Sequence, residues 1–280
     1  MQPVFHASLD LARRVDLGEI RFCALAARAG QAGGASALEV GGGAALCGAP
    51  GSPFNKVLGL GLGTAVSDAD LDAIDVFYDE RGVASQIELC PLAAPGLAPR
   101  LAMRGYALQG FENQLALVLD GADHGQPPAL SASATFEVAP TSSAEDEEQW
   151  IDVVARGFSA GDQLAAHDVV LVQGDLRGPM RAFQHQSFVR YLVRANGEPV
   201  GGGAAYVIDG LLGLTGTATV PLHRGRGVQH AVVARMLRDA AGRADLAMAT
   251  VEPGSQSQRA FERFGFRVIY TRAVFVRPFA

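Results

Sequence analysis

Apolar and polar positions change period several times along the second half of the chain. Residues 187–195 are apolar and β-prone and end at Asn196-Gly197. Residues 200–208 are similar and end at Asp209-Gly210. Asn-Gly and Asp-Gly between such runs are strong signals for two-residue hairpin turns. The pattern therefore predicts three antiparallel strands, the third at 211–220. The period then changes: Val228, Val232, Met236 and Ala240 recur every four residues, with Val233 and Leu237 beside them. That spacing gives one apolar helical face and predicts a helix over about 227–243. A short apolar strand follows at 246–251. It should pair parallel with the third strand through the helical crossover. A second helix is predicted over about 255–264, stopping at Gly265, and a last strand over about 267–276.

The joint between the third strand and the first helix carries the chemistry. It reads Val220-Pro-Leu-His-Arg224-Gly225-Arg226-Gly227-Val228-Gln229. Glycine lets the backbone bend sharply and approach a ligand closely. The first amides of a helix have no intrahelical partner, and the helix dipole is positive there. A basic glycine loop at such a place is a seat for a phosphate or pyrophosphate. It is not the nucleotide P-loop, because no Gly-Lys-Ser/Thr follows the glycines. It is not the dinucleotide turn either, since antiparallel strands precede it and the Gly-x-Gly-x-x-Gly spacing is missing.

This order of elements resembles the GNAT superfamily of acyl-CoA N-acyltransferases over about residues 136–278. Arg224-Gly-Arg-Gly-Val-Gln229 is similar to the family's Arg/Gln-x-x-Gly-x-Gly/Ala loop, with Gln229 where the family prefers Gly or Ala. Gln258-Arg-Ala-Phe-Glu-Arg-Phe-Gly-Phe266 is similar to its helix ending in Gly-Phe. The resemblance implies a cofactor site for acetyl-CoA as acyl donor. Its pyrophosphate would lie on Arg224, Gly225, Arg226, Gly227, Val228 and Gln229. Its pantetheine arm would run along Ala218, Thr219 and Val220, with Ser257 as a further contact. The family's tyrosine, an acid for the departing thiolate, is matched by Phe261, which has no proton to give. Glu252, after the parallel strand, is the candidate general base; its alternative role is to cap the helix that begins at Ser255. His167 and His185 lie in the segment that lines the acceptor site in the family. His223 and His230 flank the loop and are read as solvated. The acidic run Glu145-Asp-Glu-Glu148 is read as a favourable helix start. Residues 163–186 are irregular enough to shape the acceptor site.

The first half repeats the pattern in outline. Ser67-Asp-Ala-Asp70 is a capping-type signal ahead of Leu71, Ile74, Phe77 and Tyr78 on one helical face. A strand is expected at 86–90, a helix ending at Arg104-Gly105-Tyr106, and a strand through Leu119. The stretch Val57-Leu-Gly-Leu-Gly-Leu-Gly63 is apolar, without the basic loop, and reads as a strand or packed edge. The expected architecture is α/β with mixed sheets: two tandem GNAT-like domains, each a mostly antiparallel sheet flanked by helices. Residues 1–120 would be a degenerate copy without the coenzyme A loop. Residues 121–134, rich in Gly, Pro and Ser, would be a linker, and residues 135–280 the acetyltransferase domain.

Composition narrows the partners. The chain has 280 residues and a net charge of −6, which argues against a nucleic-acid surface or an anionic-membrane anchor. Hydrophobic residues make up 49%, enough for two cores. Cys23, Cys47 and Cys90 have no metal-type or disulfide-framework spacing, so no metal is expected and a reduced, cytoplasmic compartment fits. The N-terminus lacks the regions of a signal peptide. The expected function is acetyl-CoA-dependent N-acetyl transfer to an amine by direct attack. The alternatives are a non-catalytic acyl-CoA-binding or sensory protein, and a binder of another phosphate ligand. The acceptor, acyl length and oligomeric state are not written in the sequence.

Overall fold

The computed structural model describes residues 7–29, 36–48, 52–119, 136–159 and 176–279. They form two compact units that are not consecutive along the chain. Unit 1 draws on Met1–Gln114 and Val268–Ala280, unit 2 on Leu115–Leu164 and Val172–Arg267.

Unit 1 opens with helix α1 (Leu9–Ala29), then a hairpin of β1 (Ser36–Val40) and β2 (Gly43–Cys47). Strand β3 (Lys56–Leu58) pairs antiparallel with β2 and parallel with β4 (Ser85–Leu89). Between β3 and β4 lies α2 (Asp68–Asp79), and after β4 comes α3 (Leu97–Met103). Helix α2 starts where Ser67 predicts. The Ser67 side chain accepts from the Asp70 amide, and the Asp70 carboxylate accepts from the Ser67 amide. Leu71, Ile74, Phe77 and Tyr78 bury its predicted face against Ala45, Val57, Ile87, Leu97 and Leu101. Strand β5 (Ala107–Val118) leaves unit 1 at Gln114 and ends in unit 2.

Unit 2 contains β6 (Glu137–Pro140), α4 (Ala144–Ser159), α5 (Arg177–Arg181), β7 (Val189–Ala195), β8 (Glu198–Ile208), β9 (Leu211–Thr219), α6 (Val228–Asp239), β10 (Leu246–Val251) and α7 (Gln256–Arg263). Its strands β6 to β9 pair antiparallel in sequence order. Both hairpin turns have the predicted chemistry: Asn196 and Gly197, then Asp209 and Gly210, all take positive φ. Two consecutive positive φ values suit the twist of the flanking strands. β10 pairs parallel with β9, as the crossover requires.

The last strand, β11 (Arg267–Arg277), belongs to unit 1 from Val268 onward, where it runs antiparallel to β4. Its Arg272 is fully buried and donates to Asp16 and Glu19 of α1 and to Glu88 of β4. Lys56 joins the same cluster through Glu88 at 2.6 Å. Burial in this cluster raises the Glu19 carboxyl above its usual range, against the opposing pull of Arg272 and Lys56.

Three glycines in β8 let unit 2 close on both faces. A side chain at Gly202 would meet the Trp150 ring of α4 at 2.9 Å, and one at Gly201 would meet Val228 of α6 at 2.6 Å. The Trp150 indole instead donates to the Gly203 carbonyl at 3.0 Å.

Candidate active site

The parallel ladder between β9 and β10 runs from Leu211↔Leu246 to Leu214↔Ala249. Beyond it β9 continues to Thr219 and β10 to Val251, with no ladder pair between 215–219 and 250–251. The reason lies in β9. Its register against β8 shifts between Gly202↔Ala218 and Ala204↔Thr215, so β9 carries one extra residue there, and Gly216 takes φ +58. A bulge bends its strand. The two parallel strands therefore stop pairing at the end that leads into the glycine loop.

Val220, whose amide donates to the Val200 carbonyl at 3.0 Å, leads into a short turn over Pro221–His223. Gly225 and Gly227 both have positive φ, and Gly227 is the N-cap of α6 with no side chain to cap it. The first backbone bond of the helix runs from Ala231 to the Gly227 carbonyl. The amides of Val228, Gln229 and His230 thus form the open first turn at the mouth where β9 and β10 part. No acidic side chain stands in that turn. Gly225 and Arg226 are exposed, while Ala218, Thr219 and Val220 are buried.

Other predicted residues take definite places. Gln229 donates to the Ser257 hydroxyl at 2.8 Å, so a side chain of α6 and one of α7 meet directly. Arg224 reaches back to the backbone: its guanidinium donates to the Gly157 carbonyl at 3.0 Å and to the Thr219 carbonyl at 3.4 Å. Glu252 is half-buried directly after β10. It does not cap α7 through its side chain. Ser255 does that, accepting from the Gln258 amide, while the Glu252 carbonyl accepts from the Ser255 amide. Phe261 is 2% exposed and packs edge-on against Phe266.

His230 corrects an expectation. It is 8% exposed and stacks on Phe264 at 4.4 Å, where solvation was expected. Burial lowers its pKa, helped by the charge of Arg263. Apolar spacing on α6 assigned the face to Val228 and Val232, but the aromatic at the α7 C-cap draws the imidazole in as well. His185 accepts from the Ser187 amide at 3.2 Å and lies beside Phe188. His167 and most of the 163–186 segment lie outside the described residues. The part that is described, α5, is tied to α4 by Arg177 and Arg181, which pair with Glu148 and Asp152. Among the described residues, no three His, Cys, Asp or Glu side chains converge as a metal site.

A family model described as the acetyltransferase (GNAT) family matches residues 158–266. The chain carries a GNAT acetyltransferase domain. Its class is that of an acyl-CoA N-acyltransferase, with the glycine loop and the parted strands inside the matched region. Solved structures extend the likeness in fold to nearly the whole chain. A GCN5-related N-acetyltransferase from Kribbella flavida superposes with a TM-score of 0.68 at 20% identity, covering 96% of each chain. A tandem GNAT protein from the clavulanic acid biosynthesis pathway gives 0.57 at 15% identity, covering 98% of this chain and 96% of that one. A GCN5-related N-acetyltransferase from Sphaerobacter thermophilus gives 0.55 at 15% identity, covering 87% and 75%. The architecture is thus a tandem GNAT fold in which parallel and antiparallel strand pairs are mixed. No curated protein matches the sequence. No helix among the described residues is long and apolar enough to cross a membrane.

Proposed function

We propose that the chain transfers an acetyl group from acetyl-CoA to an amine by direct attack, using the GNAT site of unit 2. The observation that carries this is the uncapped first turn of α6, set behind two positive-φ glycines where β9 and β10 stop pairing. The open amides of the first turn, Val228 and Gln229 among them, would hold the pyrophosphate, with Arg226 adding charge. The stretch Ala218–Val220, still bonded to β8 but past the last β9–β10 pair, would take the pantetheine arm through its backbone on the β10 side. Ser257 would stand beside it, oriented by Gln229.

The chemistry follows from those positions. A neutral amine attacks the thioester carbonyl, the N–C bond forms, and the oxyanion needs N–H donors, which the edge of β9 can supply. The C–S bond then breaks. The thiolate leaves without a proton donor at Phe261, which is tolerable for a thiol of pKa about 8.5. Glu252, at the end of β10, receives the ammonium proton directly or through water.

Unit 1 would bind no coenzyme A. Its matching turn, after β3, is filled by the protein itself. The Gly61 amide donates to the Gly41 carbonyl at 2.9 Å, and Leu60 and Leu62 are buried. We therefore expect one cofactor per chain, and in chain order two domains at 1–120 and 135–280, the second of which lends β11 to unit 1. We also place the protein in the cytoplasm, where acyl-CoA donors are present.

The test is calorimetry with coenzyme A, followed by acetyl-CoA consumption over a panel of amines. Wild type should bind one equivalent per chain. Gly227→Asp sets a carboxylate at the loop and should abolish binding while circular dichroism still shows the fold at low temperature. Undiminished binding in Gly227→Asp would defeat the loop assignment. A second reading, an acyl-CoA-binding protein without turnover, is favoured by the apolar ring of Phe261 in the acid position. Stoichiometric binding with no amine-dependent thioester loss would select it.

A further inference from the structure

Arg224 and Arg226 look equivalent in the sequence, two arginines alternating with two glycines. The structure separates them. Arg226 is exposed on the loop. Arg224 is half-buried and donates to two backbone carbonyls, Gly157 in the last turn of α4 and Thr219 at the end of β9. The last four carbonyls of a helix have no intrahelical partner, and the negative end of the dipole lies there. A guanidinium with five donors is well suited to that place. The backbone around it is tight. A side chain at Gly157 would come within 2.8 Å of the Ala218 Cβ and 3.1 Å of the Thr219 amide nitrogen. So α4 touches the end of β9 with no room to spare, and Arg224 closes the same contact from the loop side.

We infer that Arg224 is a positioning residue that latches the pyrophosphate loop to α4 and to the parted end of β9, and that Arg226 is the arginine that meets the phosphates. This rests on the cofactor reading above and sharpens it. The two roles differ in what they demand of the side chain. A latch demands a hydrogen-bond donor of the right length, whereas a phosphate contact demands charge. Glutamine keeps a donor and loses the charge. Methionine loses both.

The experiment compares Arg224→Gln, Arg224→Met and Arg226→Met. Coenzyme A affinity is measured by calorimetry at low and at physiological ionic strength, well below the melting temperature. Backbone amide exchange is followed on the unliganded proteins. Arg224→Met should weaken binding about 10-fold, the scale of one or two lost hydrogen bonds, with the salt dependence of wild type. Arg224→Gln should recover most of that affinity. Arg226→Met should flatten the salt dependence, because screening acts on the charge that was removed. Without ligand, Arg224→Met should speed exchange in both 155–159 and 225–230, and Arg226→Met in neither. The latch is overturned if Arg224→Gln binds as poorly as Arg224→Met and both flatten the salt dependence. It is also overturned if exchange in 155–159 is unchanged in Arg224→Met. Failure of wild type to bind coenzyme A would defeat the cofactor reading, while the exchange comparison would still decide the latch.

Discussion

Gly201→Ala is the substitution that most directly joins the packing of β8 to the site. The new methyl would lie 2.6 Å from Val228 Cγ1 and 2.7 Å from the Ala218 carbonyl oxygen. Carbon atoms in contact prefer about 3.5–4.0 Å, so something must move by roughly 1 Å. The Ala218 oxygen is backbone in a ladder, paired across to Gly202, and cannot yield without opening the β8–β9 edge. Val228 is the first residue of α6 and yields only if the helix start moves. Both routes displace the candidate site. Overpacking of this kind costs about 1–3 kcal/mol. For a chain of this size that lowers Tm by roughly 2–10 °C. Gly203→Ala is the matched control. Its methyl would come equally near, 2.5 Å, but to Met236 Cε, the end of a flexible side chain. Denaturant unfolding and coenzyme A calorimetry on both variants make the comparison. Gly201→Ala should lose stability and cofactor affinity together, and Gly203→Ala should keep affinity within about threefold, under the ~1.4 kcal/mol of a tenfold change. Wild-type affinity in Gly201→Ala, or equal loss in Gly203→Ala, would refute the claim that β8 packing sets the loop.

Four further outcomes are expected. Glu252→Gln should lower turnover about 10²-fold or more with coenzyme A affinity unchanged, and unchanged turnover would send the proton through water. Phe261→Tyr buries a hydroxyl beside Phe266 and should cost about 1–3 kcal/mol in denaturant unfolding; no loss would mean that the ring edge opens on the cleft. His230 has a lowered pKa in the folded state, so its contribution to stability is full above the unfolded value of about 6.5 and is lost as pH falls below it. Melting curves across that window should show the acidic loss in wild type and a smaller one in His230→Phe. Arg272→Met removes the guanidinium that Asp16, Glu19 and Glu88 share and should destabilise by about 3–5 kcal/mol, so an unchanged denaturation midpoint would refute the importance of the buried cluster.

Local signals in the sequence carried far, and tertiary decisions did not. The Asn196-Gly197 and Asp209-Gly210 turns placed β7, β8 and β9, and the apolar run at 246–251 is β10 to the residue. The predicted helix over 227–243 ends earlier, at Asp239, with Ala240 as C-cap and Gly242 at positive φ. Helix α1 was not legible, because Asp16 and Glu19 sit on its buried side among Val15, Phe22 and Cys23 and break the apolar stripe. Those carboxylates make sense only once Arg272 arrives from the other end of the chain. The same holds for Arg224. Spacing puts it in a basic loop, but which carbonyl its guanidinium finds depends on how closely α4 approaches β9. The glycine loop and the helix before Gly265-Phe266 were readable as motifs. The Gln229–Ser257 hydrogen bond between them was not, since 28 residues separate the pair.

The two units treat the same turn in opposite ways, and the difference bears on function. In each, a strand that has a parallel partner runs through glycines with positive φ into a helix: β3 into α2 and β9 into α6. At α2, Ser67 and Asp70 complete a capping box, and Asp68 and Asp70 set negative charge in the first turn. Such a cap is worth about 1 kcal/mol, and the carboxylates favour the dipole. It also spends the amides and repels an anion. At α6 the cap position is Gly227, with no side-chain bond and no acid in the first turn, and an exposed arginine lies next to it. Stability alone would favour the α2 arrangement at both places. A helix start that forgoes its cap leaves its amides for a ligand, and departures from local optimisation of this kind gather at functional sites. Gly96 also starts α3 without a side-chain cap, so the proposed anion seat at α6 rests on the combination there: positive φ at Gly225 and Gly227, an exposed Arg226, and the end of the β9–β10 ladder.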